Sequence, residues 1–375
     1  MNTNLAVVSS SPGHSIHAYY LSCPESPDGI WILYFHSETA AAHTGELRIQ
    51  HRLTGAVRTL ASIQATEDAH RVACQQWVAG GEYVVFHDCR DGEWGVWSVE
   101  VISGKQRRLA GNCLVGWCQP QADLVPVYGP HWLSGGPTDV QLLDVRSGRS
   151  QGTIPMESLT ATYAREIAAD PDFAGHELSL FFPVLSPDLQ RVFLKVASPR
   201  SADFRSPGAS VRKWLVGYDL TEKRFLFRRD GWGHPFWHPD SRRILQVGNL
   251  LIDSATGNSE RIPNLPDFPG SHPALTATGD FFATDVLLNR FEGGAAGSWG
   301  VVVGDLAGHY QVLQRFDHSR GASSWRKPHP HPAFSRDGRR LYFNVSASAW
   351  TQLHVVDCTA ALTAIAVARN LSPVA

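Results

Sequence analysis

Histidine followed by proline recurs at His234-Pro235, His272-Pro273 and His331-Pro332, and His329-Pro330 places one more imidazole two residues ahead of the last copy. A lone His beside a Pro is ordinarily a turn residue bonded to a backbone carbonyl. Several converging from separate repeats would instead meet the commonest demand of a divalent site, neutral imidazole nitrogens. His272, His329 and His331 are the expected ligands, for manganese or zinc, with calcium a further option. The i, i+2 spacing of His329 and His331 predicts both rings on one face of an extended strand. His234 is a candidate proton acceptor, whereas His238, at a turn position, reads as structural.

The elements that must position these residues are repeats. His331-Pro332-Ala333-Phe334-Ser335-Arg336-Asp337 leads into Arg340-Leu341-Tyr342-Phe343-Asn344-Val345, and the same order of strand, turn and apolar strand begins at Phe182, His234 and His272. Spacings of 38 residues (234 to 272) and 59 (272 to 331) fit propeller blades. The expected fold is all-β, a seven-bladed β-propeller of four-stranded antiparallel blades in one domain. Its units begin near residues 17, 70, 113, 178, 233, 271 and 328, and Leu5 to Val8 could supply a closing strand. A six-bladed ring with an extra sheet is the alternative. Asp144 to Gly148, Asp219 to Lys223 and Asp253 to Gly257 read as the turns between third and fourth strands. Residues 156–178 are the only stretch expected to be helical, an insertion before a blade.

In such a blade the loop entering the first strand shares a rim with the loop joining strands two and three. His70, His234, His272, His329 and His331 precede first strands, while His36, His87, Tyr128 and Lys195 end second strands, so all nine should face one mouth. Arg205 and Arg212 lie in a polar segment of the fourth unit, read evenly as solvated loop or site. Trp132, Trp232 and Trp325 near the rim could stack on a sugar ring.

With 33 Lys plus Arg against 35 Asp plus Glu, the formal charge is -2. No basic run supplies a phosphate-tracking surface, so a nucleic-acid partner is not expected. Met1 to Val8 carry neither a basic leader nor a long apolar stretch, and no window approaches the roughly 20 apolar residues that span a bilayer. The six cysteines lack metal or disulfide spacing and are expected as free thiols, in a soluble cytoplasmic protein. The oligomeric state is left open.

On His234, His272 and His329-Pro330-His331 the chain resembles the oligogalacturonate lyases, propeller enzymes that cleave uronate oligosaccharides by β-elimination. The resemblance, mainly in the C-terminal half, implies a divalent metal, usually manganese, on His272, His329 and His331. It also implies His234 as the proton-abstracting base and, more loosely, Arg212 as a partner for the substrate. A Gln is expected three residues before the His pair, and Arg326 stands there instead; a guanidinium cannot ligate a cation. In the N-terminal half, His70, His87 and Tyr128 resemble in order and spacing the catalytic residues of propeller ulvan lyases.

Eliminating the 4-substituent of a uronate requires removing a C5 proton beside a carboxylate. A metal or Arg neutralises that carboxylate. A neutral His or a Tyr takes the proton, typically worth about 10²- to 10⁴-fold. The expectation is therefore a lyase acting on an acidic oligosaccharide. A non-catalytic propeller binding a glycan or peptide, and a metal-dependent hydrolase, are the competing readings.

Overall fold

The computed structural model describes residues 5–270 and 272–371. Five sheets each hold four consecutive antiparallel strands. One runs Ala274–Leu275, Phe281–Leu287, Ser298–Asp305 and Tyr310–Asp317. An eighth-strand closure makes the sixth sheet larger: Ala6–Val7 pairs antiparallel to Gln352–Asp357. A single parallel bridge, Ser15 to Gln352, then joins that unit to the strands His14–Ile16, Trp31–Ser37, Gly45–His51 and Val57–Ile63. The apolar Leu5 to Val8 segment thus ties the chain's beginning to its last strands. Met1 to Asn4 lie outside the described residues.

Each sheet is apolar at its inner strands and polar at its outer one. Val301, Val302 and Val303 are all fully buried, so Ser298–Asp305 is covered on both faces and its apolar run is continuous rather than alternating. Ser259–Arg261, an outermost strand, is exposed throughout. The Asp turns close as expected: Asp253 Oδ1 accepts from the Ala255 and Thr256 amides, and Gly257 at φ 73° takes the left-handed turn position. The strands nearest the expected unit starts begin at His14, Gln76, Leu114, Ser179, Phe236, Ala274 and Ala333. The largest departure from expectation is Gln76, because the preceding segment is a structured loop. The start expected near 271 falls on a residue outside the described ones.

Residues 156–178 do contain an inserted pair of helices, Met156–Thr162 and Ala164–Ala169. They are not the only helical stretch. Thr359–Leu371 forms a longer helix whose buried Ala361, Leu362 and Ile365 pack on the apolar cluster that includes Val301 and Val303. Its Ala-rich composition has high helix propensity, but only the sheet beneath it gives its narrow apolar face something to cover. No helix among the described residues is long and apolar enough to cross a membrane. All six cysteines are free.

Candidate functional site

His70, His272, His329 and His331 meet in one cluster, each offering one nitrogen, with those atoms all within 4.8 Å of one another. The expected trio is therefore together, and His70 joins it from the loop ahead of Gln76–Val78. The spacing rationale for the pair needs correction. His331 has φ 49° and lies outside the strand Ala333–Phe334, so a left-handed turn, not strand alternation, aims its ring. The His331 amide donates to Asp285 at 3.2 Å, and Asn344 Nδ2 donates to the His329 carbonyl at 3.2 Å, pinning that turn.

Several of these nitrogens are buried without partners: His70 Nε2, His272 Nε2, His329 Nδ1 and both nitrogens of His331. Native interiors rarely leave buried polar atoms unsatisfied, so a cluster of them marks a place for a ligand. His70 and His272 each have their other nitrogen held. His272 Nδ1 lies 3.0 Å from both Asp285 oxygens, and His70 Nδ1 lies 2.9 Å from the Lys327 carbonyl. Such outer partners orient metal-binding imidazoles. Burial pulls His272 and His329 down to about 3, and His70 and His331 well below the ordinary imidazole value, so all four are neutral. Burial also raises Asp285 to about 7, against the pull of His329 and the two amide bonds.

His234 stands beside this cluster, its ring centroid 4.3 Å from that of His272. It has φ 49° and follows Gly233 at φ 61°, where an added Cβ would meet the Gln246 side chain at 1.8 Å. Only glycine meets both demands. His234 makes no hydrogen bond among the described residues, and burial together with His272 and Lys195 keeps it neutral.

A group of cations flanks the imidazoles. Arg71 pairs with Glu67 at 2.8 Å, and Arg326 lies 3.9 Å from Asp68. The side chains of Lys195 and Arg212 make no ion pair or hydrogen bond among the described residues. Lys195 Nζ sits 4.2 Å from the Trp232 ring, and Arg212 packs 6.0 Å from Phe181. Burial, then Arg212, Arg326 and Arg71, push the Lys195 amine well below its ordinary value. Two basic side chains without an ion pair among the described residues favour an anionic ligand.

The other candidates lie differently. His87 Nδ1 accepts from the Val115 amide at 3.3 Å, and its ring packs edge-on against Trp94. Tyr128 is 1% exposed beside Phe181, and burial raises its phenol far above the ordinary range despite Arg71. Neither makes a ring contact with the four-histidine cluster among the described residues. Both instead interact with Arg71, the residue after His70. Trp132 is buried against Trp94 and Phe204, while Trp325 donates to the Glu67 carbonyl at 3.0 Å. His238 is a turn residue: its Nδ1 accepts from the Asp240 amide at 3.2 Å.

Asp285 and Glu67 escaped the sequence reading. The signal for Asp285 was available, since it is the one charge in the otherwise apolar run Phe281–Leu287.

No family model matches the chain, and no curated protein matches it. Solved structures do. An oligogalacturonate lyase in complex with manganese superposes with a TM-score of 0.61 at 11% identity, covering 95% of this chain and 96% of that one. An oligogalacturonate lyase from Vibrio parahaemolyticus gives 0.62 at 14%, covering 95% and 97%. The β-propeller domain of the Trilobed protease from Pyrococcus furiosus gives 0.54 at 10%, covering 92% and 95%. At these identities the likeness establishes the fold alone: an all-β propeller built of four-stranded antiparallel sheets.

Proposed function

We propose that this chain is a seven-bladed propeller, one domain throughout, that cleaves a uronate-containing oligosaccharide or polysaccharide by metal-assisted β-elimination. The observation that carries the reading is the juxtaposition of unpartnered buried imidazole nitrogens with two basic side chains that make no ion pair among the described residues. It suits a divalent ion and a carboxylate bound side by side. The likeness to two oligogalacturonate lyases supports the same reading.

His272, His329 and His331 would hold the ion, which when bound supplies positive charge to a substrate carboxylate and so acidifies the neighbouring C5–H. Arg212 and Lys195 bind and orient that carboxylate. A guanidinium does so without titrating, because its pKa of about 12 or higher keeps it charged. Neutral His234 takes the C5 proton. The C–H electron pair becomes the C4–C5 double bond, and the C4–O bond breaks with its pair on the departing sugar oxygen, which is protonated from solvent. His87 and Tyr128 have no role in these steps beyond supporting Arg71 and the adjoining sheet.

The test is incubation of metal-loaded protein with galacturonate, glucuronate and ulvan oligosaccharides, followed by the ultraviolet absorbance of an unsaturated uronate product. Absorbance that grows with enzyme and disappears after chelation supports the reading. Absence of product from every uronide, with metal bound, overturns it.

A further inference from the structure

The cluster contains one imidazole more than the resemblance implies, and that residue comes from a different loop. We infer that His70 is a metal ligand in its own right, so that the centre is an all-imidazole site selecting a nitrogen-preferring ion, of the zinc and nickel kind, over manganese. This rests on the reading that the cluster holds a divalent ion, but not on the substrate or the reaction.

The tautomer is set by the surroundings. A backbone carbonyl only accepts, so the 2.9 Å contact between His70 Nδ1 and the Lys327 oxygen requires the proton on Nδ1 and leaves a lone pair on Nε2. That Nε2 is buried and without a partner, and His70 offers one nitrogen to the group it forms with the other three rings. The ring centroids of His70 lie 4.5 Å from His331 and 4.7 Å from His329. Four nitrogens bound at about 2.1 Å to one tetrahedral ion lie about 3.4 Å apart. The observed limit of 4.8 Å is within small ring rotations of that arrangement.

The loop carrying His70 is held to the task from several sides. Ala69 N–H donates to Ser324 Oγ at 3.1 Å, Trp325 Nε1 donates to the Glu67 carbonyl at 3.0 Å, and Arg205 donates to the Thr66 carbonyl at 3.1 Å. Val72 at φ 43° and Cys74 at φ 50° occupy the left-handed region, which a β-branched residue enters only under constraint. Two of these ties, and Lys327 itself, belong to the segment that leads into His329 and His331. The fourth imidazole and the His pair are therefore braced as a unit.

Donor chemistry follows. Arg326 stands where the resemblance expects an amide oxygen; it lies 3.9 Å from Asp68 on the His70 loop, and a guanidinium beside the imidazoles offers no lone pair to an ion. With no oxygen among the four donors, the site departs from the set that suits manganese, magnesium or calcium, and manganese already stands lowest in the divalent series. His70 replaces the lost oxygen donor with a nitrogen.

The experiment uses metal-stripped full-length protein, titrated with copper(II) to count nitrogen couplings by electron paramagnetic resonance and with zinc(II) against manganese(II) by equilibrium dialysis. Wild type should show four nitrogens. His70→Gln, which restores an amide oxygen at similar size, should show three and narrow the zinc-over-manganese preference by roughly 10- to 100-fold. Circular dichroism of that variant establishes that it is folded, and His70→Asn serves if it is not. A three-nitrogen wild type, or an unchanged preference in a folded variant, overturns the inference. Four nitrogens in a protein that cleaves no uronide would leave this inference standing and remove the lyase reading. Uronide cleavage with three nitrogens would do the reverse.

Discussion

The two mouths of the molecule are made from the same strands and differ in almost everything else. At one, the loops entering the first strands and the ends of the second strands bring together His70, His234, His272, His329, His331 and Asp285. At the other, short turns between first and second strands surround a cavity of about 440 Å³ lined by residues such as Tyr20, Cys118, Trp237 and Leu275. Among the described residues its lining holds no group of three or more side chains placed to share a metal ion. Tyr20 separates the two, lining the cavity while its ring lies 5.4 Å from His272.

Repetition explains the contrast. The cavity-side turns reuse one hydrogen-bond device: Ser26, Ser186 and Ser335 each donate to the Asp two residues on and accept from the amide five residues on. His238 is a variant of the same turn. A device repeated around the ring serves stability, whereas the loops of the other mouth differ from sheet to sheet. Function tends to reside in such variable loops on a rigid scaffold.

Substitutions at the two mouths should therefore diverge, beginning with the ligand cluster. His272→Ala should abolish retention of metal through purification and with it all uronide cleavage. Equal metal content in variant and wild type would remove the distinction between the mouths altogether.

Glu67→Gln should cost about 3–5 kcal/mol, because it leaves Arg71 as a buried charge without its partner. Burial alone would raise the Glu67 carboxyl, but Arg71, His131 and Arg212 outweigh it and hold it well below the carboxylate range. Its stabilisation is then complete above the unfolded value of about 4.3 and is lost as pH falls below that, toward the depressed folded value. Wild type should lose stability in that acid window, and Glu67→Gln should be flatter there in urea melts. Parallel pH curves would show that the Glu67 charge contributes nothing.

His234→Asn removes the base while keeping a polar side chain, so turnover should fall about 10²-fold or more with metal content and melting temperature retained. Unchanged turnover would shift the proton transfer to another group, and a Tyr128→Phe variant that lost activity would favour the ulvan-lyase-like arrangement. At the cavity mouth, Ser335→Ala should lower stability by about 1 kcal/mol and leave activity and metal binding as they were. A large loss of activity there would mean that the two mouths are coupled.

The residue types, the turn chemistry and the repeat were legible in the sequence because each depends on neighbours within a few positions. Pro, Asp and Gly determine the turns, and the Val-rich inner strands announce two-sided burial. Even the convergence of His272, His329 and His331 could be expected, since equivalent positions in a repeat point to equivalent places. What the tertiary structure decided was register and company. His331 acts from a left-handed turn rather than a strand, the helix Thr359–Leu371 exists because a sheet covers its face, and His70 joins the other imidazoles from a loop. Those outcomes depend on contacts between segments far apart in sequence, such as that of His70 with Lys327, 257 residues away, whose packing no local pattern encodes.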